Sequence, residues 1–331
     1  MCSSNRAKGA AVTARSSRSR EALRAAQLYY LQHLTMEAIA QEMRVSRSSV
    51  SRLLAYARDS GLVEIQVHSP QEARSQLELR IAERYGITAH VVPSPARASE
   101  ADRLERTART AAHRVAAAVG DRSTIGVAWG ATMSAVARHL PSKTVHETRV
   151  VQMNGAANVR TTGVSYAAEL LGGFGNAFAA SVYQFSVPAI FDNPDTRRAL
   201  WRERSVSRVL ELQASSDLYV FGLGSRIGDP RSRIYSGGYL DRDDLQELVR
   251  AGVVGDCGTV FYRSDGSTDG VALNERSSGP SLDTVRRIPH RLCVVSGAAK
   301  RDSLRGALSA RIITELVVDE ELARLVVEAG G

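Results

Sequence analysis

Long apolar runs are missing from this 331-residue chain. No stretch approaches the roughly 20 consecutive apolar residues that cross a bilayer. The first twenty residues are rich in Ser, Arg and Ala and lack the apolar core of a secretory signal. The expectation is a cytoplasmic protein with no membrane partner, opening on a disordered basic tail over residues 1–20. Cysteine is nearly absent: Cys2, Cys257 and Cys293 lie far apart with no CxxC spacing, which argues against a disulfide framework and against structural zinc. Cys257 and Cys293 read as small core residues rather than reactive thiols. Seven histidines (His33, His68, His90, His113, His139, His146 and His290) are dispersed without ligand spacing, so no metal is expected. Internal repeats are also lacking.

What the chain does have is an uneven charge. Residues 1–62 hold ten Lys/Arg against four Asp/Glu, so most of the net +8 sits in the first fifth of the sequence. A basic module on a nearly neutral body is the electrostatic footprint of a nucleic-acid binder, although a solvated basic tail would look the same by charge alone. The local pattern separates the two. Residues 21–33 read as a helix with Leu23, Ala26, Tyr30 and Leu31 inward. Thr35 reads as the N-cap of a short helix, Met36 to Met43, and Ser46 as the cap of a third helix that Gly61 ends near Ser60. Val50, Leu53, Leu54 and Ala57 fall at i, i+3, i+4 and i+7. With Ile39, Met43 and Val45 they make a shared core, and the small Ala40 lets the helices approach. This is a helix-turn-helix. Its outer face carries Arg47, Ser48, Ser51 and Arg52, suited to base edges and phosphates. Thr35, Ser46 and Ser49 fit caps or phosphate contacts. Arg44 stands where a turn usually has Gly, which predicts a left-handed backbone there.

Leu62–His68 alternates apolar and polar residues and reads as a strand, a candidate wing. The domain reading is therefore 21–69 for DNA binding, 70–86 for a linker helix, and 87–331 for a larger body. In the body, apolar strands (Ala89–Val92, Thr124–Ala128, Arg149–Met153, Leu218–Gly222, Thr259–Tyr262, Leu292–Ser296 and Glu315–Val318) alternate with helices near 100–119, 133–140, 195–201, 241–251, 301–310 and 320–328. That order predicts an α/β fold, a doubly wound, largely parallel sheet of Rossmann type, with ligands bound beyond the carboxyl ends of its strands.

The run LYYLQHLTMEAIAQEMRVSRSSVSRLLAYARDSGLVEI resembles the N-terminal domain of the SorC family of sugar-responsive bacterial regulators, also called DeoR-like sugar-binding regulators. The resemblance continues in order through IGVAWGATMSAVARHL, VVQMNGAA, YVFGLGS, VVGDCGTVFY and VVSGAAKRDSLRGALSARIITELVVDEELA. It implies a body like the sugar-phosphate isomerases and deaminases, a phosphorylated sugar as effector with no further cofactor, operator DNA as partner, and a homo-oligomer, dimer or tetramer.

Several residues then become candidates for the effector site. Gly130, Ala131 and Thr132 lead from a strand into a helix. Taken alone they fit an anion site or a plain tight turn equally; the resemblance favours a phosphate. Asn154 and Gly155 end the next strand and would line the same crevice. Gly222, Gly224 and Ser225 form a second Gly-rich strand end, where glycine permits close approach to a ligand or simply close packing. Asp256 is placed to bond sugar hydroxyls. Lys300, by its position in the matching motif, would neutralise phosphate; the family's pattern has a second Gly there, whereas Ala298-Ala299 here would narrow the pocket. Asn274 and Arg276 form a further candidate pair, or an ordinary loop. A positioned acid–base constellation is not evident, so a regulator and not an enzyme is expected. The alternatives are an isomerase- or deaminase-like enzyme carrying a DNA-binding module, and an architectural DNA binder with a vestigial body.

Overall fold

The computed structural model describes residues 18–63, 76–95, 97–227 and 232–328. The chain divides into two compact units, residues 1–73 and 74–331.

In the smaller unit, helical residues 18–26 (α1) run into a π turn at Gln27–Leu31. Two helices follow, α2 (Met36–Met43) and α3 (Arg47–Asp59). The caps are those the sequence signals. Thr35 accepts the Ala38 N–H at 3.2 Å and Ser46 accepts that of Ser49 at 3.1 Å, satisfying donors that a helix start leaves open. Arg44 adopts the left-handed conformation expected of it, at φ 55° and ψ 43°. The core joins Ile39, Val50, Leu53, Leu54 and Ala57 to Ala22, Ala25, Ala26 and Leu28. Two expectations fail on helix phase. Leu23 and Leu31 are 40% and 74% exposed, because an alanine stripe takes the inner face and the wider π turn brings Leu28 inward instead. Val45, expected in the core, is 37% exposed, since it follows the left-handed residue that redirects the chain. Residues 64–68, most of the strand expected at Leu62–His68, lie outside the described residues, as do 1–17 of the basic tail.

The larger unit opens with α4 (Gln76–Tyr85) and β1 (Thr88–Val92), then alternates: α5 (Glu100–Ala118), β2 (Thr124–Val127), α6 (Ala131–Arg138), β3 (Arg149–Gln152), α7 (Val164–Phe178), β4 (Ser181–Tyr183), α8 (Pro194–Leu200), α9 (Arg204–Ala214), β5 (Leu218–Phe221), β6 (Leu223–Gly224), α10 (Arg233–Ser236), α11 (Arg242–Arg250), β7 (Gly255–Cys257), β8 (Val260–Tyr262), α12 (Leu282–Arg287), β9 (His290–Val295), α13 (Arg301–Ser309), β10 (Glu315–Asp319) and α14 (Glu320–Glu328). Seven strands form one parallel sheet in the order β1-β10-β9-β5-β2-β3-β4. The sheet is covered on both faces, as parallel sheets are. Alternation along β5 shows it: Leu218 and Val220 join one core with Val115, Met133 and Phe174, while Tyr219 and Phe221 join the other with Ile81, Leu304 and Leu322. From the β2–β5 boundary, successive strands run outward in opposite directions, the kind of switch point at which open α/β sheets bind ligands.

Beyond the unexpected β4, α9 and α12, the structure departs from expectation at α4, α7 and β8. Helix α4, read as a linker, buries Ile81 in the core of the larger unit. Helix α7 carries three glycines, whose low helix propensity hides it from the sequence. Thr259–Tyr262 was expected in the main sheet; β8 instead pairs antiparallel with β7, which pairs with β6, in a separate three-stranded sheet.

Candidate nucleic-acid interface and ligand crevice

The outer face of the helix-turn-helix is organised by hydrogen bonds between the residues singled out above. Ser46 Oγ lies 2.9 Å from both Ser48 Oγ and Ser49 Oγ, and Arg52 donates to Ser49 Oγ at 3.3 Å. Arg47 leaves this chain and turns to α2, where its Nε stands 2.6 Å from Glu37 Oε1. Ser48, Ser51 and Arg52 are exposed and Ser49 half-buried. Behind the face, Arg58 donates to the Tyr30 hydroxyl at 3.3 Å and Arg24 pairs with Glu42 at 3.6 Å. Cations and small hydroxyls on one face of a recognition helix can meet phosphate oxygens and base edges.

In the larger unit, Gly130, Ala131, Thr132, Asn154, Gly155, Gly222, Gly224, Ser225, Asp256 and Lys300 gather at the carboxyl ends of β2, β3, β5 and β9 and on the small sheet beside them. Gly130 caps α6 without a side chain to meet the N–H groups that a helix start leaves open. Thr132 packs against Gly222, where an added Cβ would lie 3.2 Å from the threonine Cβ. Asn154 is buried and accepts the Trp129 N–H at 3.4 Å, while the Trp129 indole N–H donates to Gly155 O at 2.6 Å. Trp129 stacks on Tyr239, centroids 4.9 Å apart. Glycine at 224 has a steric reason: a Cβ there would sit 1.7 Å from Asp256 Oδ1.

A buried polar knot lies beneath these loops. Lys300 Nζ donates to Leu223 O at 2.9 Å and to Ser232 Oγ. Ser232 Oγ in turn accepts the Ser225 N–H at 2.8 Å, and Ser225 Oγ donates to Ala299 O at 3.1 Å. Burial pushes the Lys300 ammonium down to about 8, against the pull of the Asp256 and Glu100 carboxylates. Burial likewise pushes Asp256 up to about 6, opposed first by Lys300 and then by the Tyr235 hydroxyl. Asp256 Oδ2 accepts the Thr259 N–H at 3.3 Å. Tyr235 faces the carboxylate, yet neither its hydroxyl nor Asp256 Oδ1 makes a bond of good geometry, and the buried Arg226 Nε also has no partner. Unmade bonds of this kind are rare in folded interiors and ask for an explanation.

Asn274 and Arg276 stand apart from this group. Asn274 exchanges two 2.8 Å bonds with the backbone of Phe261. Arg276 donates to Phe191 O at 2.6 Å and pairs with Asp244 at 2.7 Å. Asn274 thus ties its loop to β8, and Arg276 ties it to Phe191 and to α11. Sequence reasoning passed over Trp129, Arg226, Ser232 and Tyr235; their only signal is proximity to the AWGAT and GLGS strand ends. Elsewhere, the imidazoles of His90 and His290 bond the Glu315 carboxylate at 2.7 and 2.6 Å, together with Arg114, which holds that carboxylate well below its usual range. Cys257 and Cys293 are buried, and burial raises both thiols. Among the described residues no helix is long and apolar enough to cross a membrane.

A helix-turn-helix joined to a Rossmann-like domain with polar residues gathered at its switch point defines a ligand-binding transcriptional regulator. Residues 69–328 match the Sugar-bind family, a sugar-binding domain, and residues 25–75 match the MarR family. The Deoxyribonucleoside regulator of Bacillus subtilis is 31% identical over 308 residues, 92% of this chain and 96% of the relative. The Sorbitol operon regulator of Klebsiella pneumoniae is 25% identical over 307 residues, 92% and 96% of the two chains. A crystallised domain of a possible sugar-binding transcriptional regulator from Arthrobacter aurescens is 49% identical, covers 79% of this chain and 100% of its own, and superposes with a TM-score of 0.74. The full-length Klebsiella pneumoniae SorC structure, at 24% identity, shares the fold over 93% of this chain with a TM-score of 0.68. The chain belongs to the SorC family of transcriptional regulators with a sugar-binding domain, and its relatives are regulators and not enzymes.

Proposed function

We propose that the crevice beyond β2, β3, β5 and β9 binds a phosphorylated sugar or polyol phosphate, and that this ligand sets the affinity of the helix-turn-helix for its operator. The observation that carries the reading is the buried polar knot. Asp256 Oδ1 and the Tyr235 hydroxyl face each other without a bond of good geometry, Arg226 Nε beside them has no partner among the described residues, and Lys300 holds a positive charge there against the cost of desolvation. Hydroxyls of a sugar would complete Asp256 and Tyr235. Phosphate oxygens would meet the open N–H groups at the start of α6, with Thr132 beside them, and the cations Lys300 and Arg226. Asn154 acts by holding Trp129, Asn274 by holding β8 and Arg276 by joining its loop to Phe191 and α11, rather than by touching the ligand.

A ligand shifts an equilibrium only by binding two states unequally. The two states here are arrangements of a homo-oligomer that space its recognition helices differently, since paired half-sites lie about one helical turn apart. The test is a thermal-shift screen of the purified chain against sugars with and without phosphate, because a ligand of the native state alone raises the melting temperature. A shift with one sugar phosphate, absent with its free sugar and lost in Asp256→Asn, is the expected result. A shift with free sugars only would replace the phosphate reading, and no shift with any member would remove the effector assignment.

A further inference from the structure

We infer that Glu37 is a positioning residue for sequence recognition: it holds Arg47 so that the arginine presents its outer fork to a guanine. Glu37 lies in the first turn of α2, where the helix N-terminus favours a carboxylate. Arg47 is the first residue of α3, and the leading residues of a recognition helix are those that reach base edges. The atom of Arg47 that lies against the carboxylate is Nε, 2.6 Å from Glu37 Oε1. An arginine has five donors in a rigid fork. With Nε engaged from the side, Nη1 and Nη2 remain as a parallel pair, the geometry that guanine O6 and N7 accept.

The neighbours divide the labour. Arg52 is tied to the Ser46–Ser48–Ser49 hydroxyl chain, so it stays on the flank of α3, among groups suited to phosphate. Arg47 takes no part in that chain and is held from α2 instead. A carboxylate beside a DNA-reading helix also repels phosphate. The same charge lowers affinity for DNA of any sequence while sharpening the choice among sequences, a combination of attraction and repulsion from which specificity arises.

The test is selection from a random-sequence duplex library by the full-length chain, compared with Glu37→Gln and Arg47→Ala, followed by titration of one unselected duplex over a range of salt. Exposed ion pairs add little to stability, so Glu37→Gln folds, and an unchanged melting temperature verifies it. The wild type is expected to select a guanine in each half-site by roughly five- to a hundred-fold over other bases. Arg47→Ala abolishes that preference. Glu37→Gln reduces it while binding the unselected duplex as well as or better than the wild type. Three outcomes would overturn the inference: a preference in Glu37→Gln identical to wild type; an Arg47→Ala protein that keeps the preference but loses affinity for every sequence equally, the mark of a phosphate contact; or a wild-type selection without a guanine that depends on Arg47.

Discussion

The two units treat charge in opposite ways. On the helix-turn-helix, Arg47, Arg52 and Glu37 sit in solvent, each with a partner on the surface. In the larger unit, Asp256 is buried and Lys300 half-buried, with their pKa values drawn toward each other, to about 6 and about 8. An exposed charge is cheap to keep and free to meet a polyanion. A buried charge is costly unless fully bonded, and retaining one marks a place where a ligand completes the bonding. The difference predicts that substitutions in one unit leave the other's activity standing.

The largest test of that separation is in the cores. Ile39 is fully buried in the smaller unit, so Ile39→Ala should cost about 2–5 kcal/mol there. In calorimetry the small unit's transition should fall while the large unit's stays; a single transition that moves as a whole would break the comparison. Next comes the buried pair. Replacing both members by Asp256→Asn and Lys300→Met removes two charges that the fold holds away from their ordinary pKa values, so the change in stability should carry a pH signature. Because Asp256 is raised to about 6 in the fold, its stabilising contribution is present below the ordinary aspartate value and lost as pH rises through about 6. Because Lys300 is lowered to about 8, its penalty applies below about 8 and lifts as pH rises beyond it. The pair is therefore least favourable between pH 6 and 8. The gap in melting temperature between double variant and wild type should be widest in that window and narrow toward pH 4. A gap flat with pH would contradict the assignment.

Gly224→Ala sharpens the contrast further. Its methyl would strike the Asp256 carboxylate, costing about 1–3 kcal/mol and removing the ligand-induced thermal shift, while binding to unselected DNA is unchanged. Loss of DNA binding as well would argue that the two units are not separable. The smallest effect is in the caps: Thr35→Ala and Ser46→Ala each remove a bond to a helix N-terminus and should lower the small unit's stability by about 1 kcal/mol, read as a shift in its own transition.

Local signals made much of this legible. Caps at Thr35 and Ser46, the left-handed Arg44 and the helices Met36–Met43 and 47–59 depend on neighbours in the chain, and the sequence shows them. The main sheet was visible because buried parallel strands are continuous apolar runs. What escaped depends on distance. The phase of α1 is set by a π turn and by packing on α2 and α3. The small sheet forms because Gly224 meets Asp256, 32 residues away and paired in register. Tyr235, Arg226 and Ser232 belong to the knot only through the fold, and no spacing in the sequence announces them. Asn274 and Arg276 carry chemistry that suits a ligand, and only their partners, Phe261, Phe191 and Asp244, show how they are used.

The most direct test of ligand control is the affinity of the full-length chain for its selected duplex, measured with and without each sugar phosphate of the panel, for the wild type and for Thr132→Ala and Arg52→Ala. Coupling of the usual size would change the wild-type affinity by roughly 5- to 150-fold with one compound. Thr132→Ala should keep the ligand-free affinity and lose much of the response; Arg52→Ala should lose affinity and keep the thermal shift. An affinity for DNA indifferent to every compound, including one that raises the melting temperature, would contradict the account.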